Sequence, residues 1–229
     1  MEIKMKLNKF IELYWNYYLQ LEKDFFELEP YCTIDEANDK AFSTKYLHLI
    51  LSICGEIDTI SKRLCVCLDS NFDVDTAGIN DYKNVLMKRF PGIANEIVSI
   101  KYHVYREIRP FQPWAYKNNP HWWGVYNKVK HHRDELWNGK EAYKYATQKT
   151  TLETLSALYI ILEYWAAFNF VIPDDREKNI REMRQLESKH FTMVNWMPFY
   201  GFFSGSEFFI IDKCRQYLNQ QAQEKGDAE

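Results

Sequence analysis

Apolar side chains recur at three- and four-residue steps along most of the chain, the spacing that lines one face of a helix. Phe10, Tyr14, Tyr17, Leu21, Phe25 and Leu28 predict a first helix over residues 8–28. After a polar break at Asn38 and Asp39, the steps Leu47, Ile50, Cys54, Ile57, Leu64 and Leu68 predict a longer second one. Residues 80–90 form a short helix that Pro91-Gly92 ends, because proline lacks the ladder donor and glycine favours a left-handed exit. Residues 98–108 read equally as helix or strand, and 109–119, with Pro110 and Pro113, as an irregular loop. Asn119 as N-cap and Pro120 at the first helical position open a helix running to about Trp137, where Asn138-Gly139 supplies the stop. Thr150 with Glu153 makes a capping box for the next helix, whose apolar face carries Leu152, Leu155, Tyr159, Leu162, Trp165 and Ala166 and which Pro173 closes. A charged helix over 174–189 and a last helix from Ser206 follow, and the segments 190–196 and 207–211 can instead pair as a small hairpin.

The fold class expected is all-α (mainly): an up-down helical bundle of four to five core helices with extra C-terminal elements. The 229 residues, 46% hydrophobic, suit one domain, with no internal repeat or low-complexity linker. Its core is expected over 8–170, with 174–229 packed on it as an extension. The most hydrophobic stretch, 152–172, contains Glu153, Glu163 and Asn169, which would be costly in lipid, so a core helix is expected there and no membrane partner. The N-terminus lacks the uninterrupted apolar core of a signal peptide. Cys32, Cys54, Cys65, Cys67 and Cys214 are an odd set without the paired spacing of a zinc site and read as reduced, mostly buried thiols. The expected location is the cytoplasm.

A net charge of −3 argues against a protein built wholly for nucleic acid, but the charge is segregated. Between Lys101 and Arg133 seven Lys or Arg residues face a single acid, Glu107, and eight aromatics are interleaved with them. Basic groups among flat rings suit phosphates and unstacked bases, while rings at helical spacing also serve as core. On the helix from Pro120, Trp122, Val125, Tyr126, Val129 and Leu136 fall at core spacing. Trp123, Asn127, Lys130, His131 and Asp134 fall on a more polar face. Asn127 and His131 are one turn apart; an imidazole can take a proton near neutrality, and a neighbouring lysine or arginine can stabilise phosphate charge. That is the minimum equipment for metal-independent RNA cleavage by a 2′-hydroxyl.

The run Trp122-Trp123-Gly124-Val125-Tyr126-Asn127-Lys128-Val129-Lys130-His131-His132-Arg133 resembles the motif helix of HEPN-type proteins, a helical-bundle superfamily rich in ribonucleases, toxins and phage-defence components. Glu56-Ile57-Asp58 with Lys62 is similar to the polar insertion of some members' second helix, and the helix order is similar over 8–170. The resemblance implies an arginine, usually followed by a polar residue, with a histidine after four to six intervening residues. The polar residue falls on Asn127, the histidine on His131, and the arginine position on Tyr126, which cannot offer a cationic fork to phosphate. It implies catalysis by Asn127 and His131, RNA or phosphate contacts from Lys130, Arg133, Lys128 and Trp123, and support from Glu56 and Tyr126. It also implies a homodimer with the groove between protomers, a cognate antitoxin or partner protein, and products ending in a 2′,3′-cyclic phosphate and a 5′-hydroxyl.

Glu56, in an otherwise apolar helix, needs a partner; it can orient His131, pair with Lys130, or, with Asp58, make an interhelical salt bridge. A metal site from His121, His131 and His132 is disfavoured because adjacent histidines diverge on a helix and no carboxylate completes the set. No Gly-rich phosphate loop, nucleophile elbow or paired metal-ligand motif is present, and no cofactor is expected. The rival to an RNA-binding protein or endoribonuclease is a non-catalytic interaction module for a partner protein or nucleotide.

Overall fold

The structure, a computed structural model, describes residues 5–101, 107–171, 187–194 and 196. It is mainly helical with small antiparallel sheets. Helix α1 (Leu7–Phe10), a π-helical turn (Ile11–Trp15) and α2 (Asn16–Phe26) form one continuous stretch. The wider π turn rotates the inward face, so Trp15 and Tyr18 are buried and Tyr17, expected inside, is 40% exposed. Helix α3 (Thr44–Leu68) starts where the Ser43 hydroxyl accepts the Tyr46 N–H, and α4 (Ile79–Arg89) where the Asp81 carboxylate accepts the Gly78 N–H at 2.8 Å. The expected loop at 109–119 contains a single helical turn, α5 (Gln112–Ala115).

Helix α6 (His121–His131) is shorter than its sequence suggests at both ends. Pro120, not Asn119, precedes it, and it stops at His131 because Asn138 and Gly139 serve a different purpose. With φ of +47° and +86° they form a tight turn of the kind that matches strand twist, joining β3 (Leu136–Trp137) to β4 (Lys140–Glu141). Leu136, expected in the core, is 73% exposed on this hairpin.

Helix α7 (Gln148–Ala166) begins one turn earlier than expected, capped by Thr147, whose hydroxyl accepts the Thr150 N–H; Thr150 is not the cap. It is buried on nearly every side and packs against α2, α3 and α6. Such a helix tolerates polar residues only if they are satisfied, and Thr151, Thr154 and Ser156 donate to carbonyls of their own helix.

Strand β1 (Val98–Ile100) lies between β2 (Glu107–Ile108) and β5 (Phe191–Met193), antiparallel to both, with Val98 opposite Ile108 and Met193. The segment near 190 is therefore a strand that pairs with β1; its other expected partner, 207–211, lies outside the described residues, as do most of the charged helix expected over 174–189, the last helix and Cys214. Two buried carboxylates dock β5. Glu22 accepts hydrogen bonds from the Tyr18 hydroxyl (2.9 Å), the Ser188 hydroxyl and the N–H groups of Lys189 and His190 (3.1 and 3.3 Å). Glu96 accepts from the Tyr164 hydroxyl and from Trp196 Nε1.

Of the four described cysteines, Cys54 and Cys65 are buried, Cys32 is half-buried and Cys67 exposed, all as free thiols. Burial pushes the Cys65 thiol up to about 12, aided by nearby acids, and raises Cys54 well above the ordinary value, so both are poor nucleophiles. Among the described residues no helix is long and apolar enough to cross a membrane.

Candidate nucleic-acid interface

The basic segment acquires its geometry from α6. Trp122, Val125 and Val129 turn inward, and Trp122 Nε1 donates to the Pro110 carbonyl at 2.9 Å, pinning the helix to the preceding loop. The opposite side carries His121, Asn127, Lys130 and His131 into solvent, with Lys128 half-buried beside them. Asn127 and His131 are one turn apart on this side, a spacing that holds Cβ atoms roughly 5–6 Å apart. Neither side chain has a hydrogen-bond partner among the described residues. His131 meets only the ring of His132, at 6.3 Å, and His132 is engaged with Glu135 at 2.8 Å.

Lys128, Lys130 and His131 follow Asn127 in the last turn of the helix and Arg133 lies just beyond it, where positive charge also complements the exposed carbonyls. Among the described residues no carboxylate pairs with Lys128, Lys130 or Arg133. Lys130 instead lies 5.2 Å above the ring of Tyr126, and Arg133 donates weakly to the Val129 carbonyl at 3.4 Å. These cations are open to an external anion.

Two of the expected contacts are placed differently. Trp123 is only 8% exposed and packs against Tyr126 at 5.1 Å, so it belongs to the core and offers no stacking platform. Its position next to Asn127 on the helical wheel is right, but the rings of Trp122 and Tyr126 pack against it. Tyr126, at the position of the motif arginine, is likewise buried.

Glu56 has no contact with His131 or Lys130. It lies on the stripe of α3 that also carries Lys45, paired with Asp24 at 3.4 Å, and Arg63, 5.8 Å above the Tyr14 ring, so it faces the first helical stretch. Burial raises its carboxyl above the ordinary value, and Oε2 has no hydrogen-bond partner among the described residues. The interhelical tie expected of this pair falls to Asp58, which binds Lys62 of its own helix at 3.0 Å and receives the Tyr82 hydroxyl of α4 at 2.5 Å. Among the described residues no three His, Cys, Asp or Glu side chains are grouped to hold a metal.

A second basic cluster, absent from the sequence reading, sits at the start of α6. The β3–β4 hairpin folds Trp137 over Gly124 and parallel to the His121 ring, with Lys140 and Lys149 close by. The signal was present in Asn138-Gly139, which marks a hairpin more strongly than a helix stop.

No family model, no curated protein and no solved structure matches the chain, so function has to be read from its own residues.

Proposed function

We propose that the exposed side of α6, with Arg133 just beyond it, binds RNA through its phosphates on a HEPN-like up-down bundle. The observation that carries this reading is the run of cations, Lys128, Lys130 and Arg133, in and just after the helical turn that also holds the solvent-facing Asn127 and His131, without carboxylate partners among the described residues. Because Trp122, Trp123 and Tyr126 point inward, recognition here is electrostatic and tolerant of sequence rather than based on stacking.

The same side offers the parts for cleavage. A neutral His131 imidazole would take the proton of a 2′-hydroxyl as its oxygen attacks phosphorus, and Lys130 or Arg133 would stabilise the charge on the phosphoryl oxygens. The bond to the 5′-oxygen breaks, leaving a 2′,3′-cyclic phosphate, and the leaving oxygen needs a proton. The protonated His131 of a second copy would supply it across a dimer groove of the kind the HEPN resemblance implies, and the same resemblance points to a toxin or phage-defence role. A non-catalytic binding module is the second reading, and a specific observation favours it: the arginine position is a buried tyrosine.

RNA affinity of the intact protein should fall steeply with salt, and Lys130→Ala should reduce the slope of log K against log salt by about 0.7, the share of one phosphate contact on a single strand. A salt-independent affinity would remove the phosphate-binding reading altogether. Incubation of an RNA pool in EDTA then separates the two versions. Cuts bearing cyclic phosphates, lost in His131→Ala, establish the nuclease, whereas salt-sensitive binding without cuts establishes the module.

A further inference from the structure

We propose that His121 and Lys140, set against the rings of Trp137 and Tyr145, form with Lys149 nearby a second anion site, one that takes a terminal phosphate monoester of a nucleotide or an RNA chain. The site is built by the hairpin. Its tight turn lays Trp137 across α6 at Gly124, where an added Cβ would already touch the indole at 3.7 Å. The indole stacks on His121 with centroids 5.7 Å apart and planes within 14°. Tyr145 closes the corner, 4.7 Å from Trp137 and 6.4 Å from His121, and its hydroxyl donates to the Trp137 carbonyl at 2.8 Å. Lys140 then lies with Nζ 4.1 Å above the Tyr145 ring. Lys149 enters from the first turn of α7, which a backbone contact to the Asp39 carbonyl holds in place.

The charges around this corner do not cancel. The Asp39 carboxylate reaches Lys149 at 3.9 Å, a long contact between partly exposed groups. Glu141 is committed to Lys144 at 2.8 Å, and among the described residues no carboxylate pairs with Lys140. Cover by its surroundings, then Lys149 and Lys140, hold the His121 imidazole below the usual histidine range, so both ammonium groups lie within electrostatic reach of the ring. An anion among them would reverse that balance and draw a proton onto His121. Two standing charges and one inducible charge suit a phosphate monoester, which carries about −1.5 to −2 near neutral pH, better than the single charge of a diester. The aromatic walls keep water from one side and so strengthen the contact. The site stands apart from the RNA reading, since His121 and His131 are separated by ten residues of helix, about 15 Å.

The test follows the ring proton of His121 by NMR in the intact protein across pH. Inorganic phosphate should raise the His121 midpoint, and Lys149→Gln, an exposed substitution, should abolish most of the effect. If the source is nucleic acid, a 5′-phosphorylated oligoribonucleotide should bind about tenfold more tightly than its 5′-hydroxyl form, the worth of one charge-assisted contact. If phosphate moves His121 but the two oligonucleotides bind alike, the site stands and its ligand is a small phosphomonoester. A His121 midpoint that neither inorganic phosphate nor the 5′-phosphorylated strand moves would overturn the site. Failure of the RNA reading looks different, because the 5′-hydroxyl strand would then not bind while phosphate still acted on His121.

Discussion

Helices α6 and α7 lie against each other and use similar residue types in opposite ways. Helix α7 is enclosed on nearly every side, and the hydroxyls of Thr151, Thr154 and Ser156 are spent on carbonyls of the preceding turn. Helix α6 buries one side and leaves the other to water, so its polar side chains remain unspent. The contrast separates two meanings of a polar residue in a helix. Inside α7 it is a cost that must be met locally; on α6 it is a group available to something outside the chain.

If that division is right, the two helices should answer differently to the loss of a side chain. Leu158→Ala, at a fully buried position of α7, should lower stability by about 2–5 kcal/mol, whereas Asn127→Ala on the exposed side of α6 should stay within about 0.5 kcal/mol. Denaturant melts of both variants measure the gap. Equal losses would break the comparison, since Asn127 would then be holding the fold.

Glu163 sharpens the same contrast from within α7. It is 3% exposed, Oε2 has no hydrogen-bond partner among the described residues, and burial pushes its carboxyl up to about 8 against the opposing pull of Lys101. A raised native value means that the folded state holds this proton more firmly than the unfolded chain does. Its contribution to stability is complete below the unfolded value near 4.5 and is lost as pH rises toward 8. Across that window the wild type should lose up to about 1.4 kcal/mol for each unit of pH relative to Glu163→Gln, which does not titrate. Denaturant melts of the two proteins at either end of the window decide it: a difference that does not change with pH would mean that Glu163 folds as a carboxylate.

What could be read in the sequence divides along the same line. The inward stripes of α3 and α7 are legible because burial imposes a period that the residues must keep. Tyr17 was misplaced because a π turn adds a residue without any local signature. Trp123 is misplaced because the helical wheel gives a direction but not what lies in that direction; the rings of Trp122 and Tyr126 pack against it. The cap of α7 was set one turn late because Thr147 and Thr150 both precede usable partners. Within the candidate interface, the juxtaposition of Asn127 and His131 follows from spacing alone. The isolation of Glu56 does not, since which face of α3 meets which neighbour depends on tertiary packing. The His121 corner was missed for a related reason, because it joins residues from a helix, a hairpin and the start of another helix.

That hairpin permits the finest distinction between the helices, because its turn helps to lay Trp137 against α6. Gly139 has φ of +86°, and an added Cβ there meets no atom within 4 Å, so the strain of Gly139→Ala lies in the backbone and not in a clash. A non-glycine residue in this region costs about 1 kcal/mol, enough to loosen the turn without unfolding the molecule. Trp137 fluorescence and the His121 resonance should both shift as the indole leaves the imidazole, while those of His131 should stay put. Because α6 itself is anchored elsewhere, by Trp122 on the Pro110 carbonyl, its exposed side should bind RNA as before. A change at His131 or in RNA affinity would show instead that the hairpin and the far end of α6 act as one unit, and that the two basic clusters are a single surface.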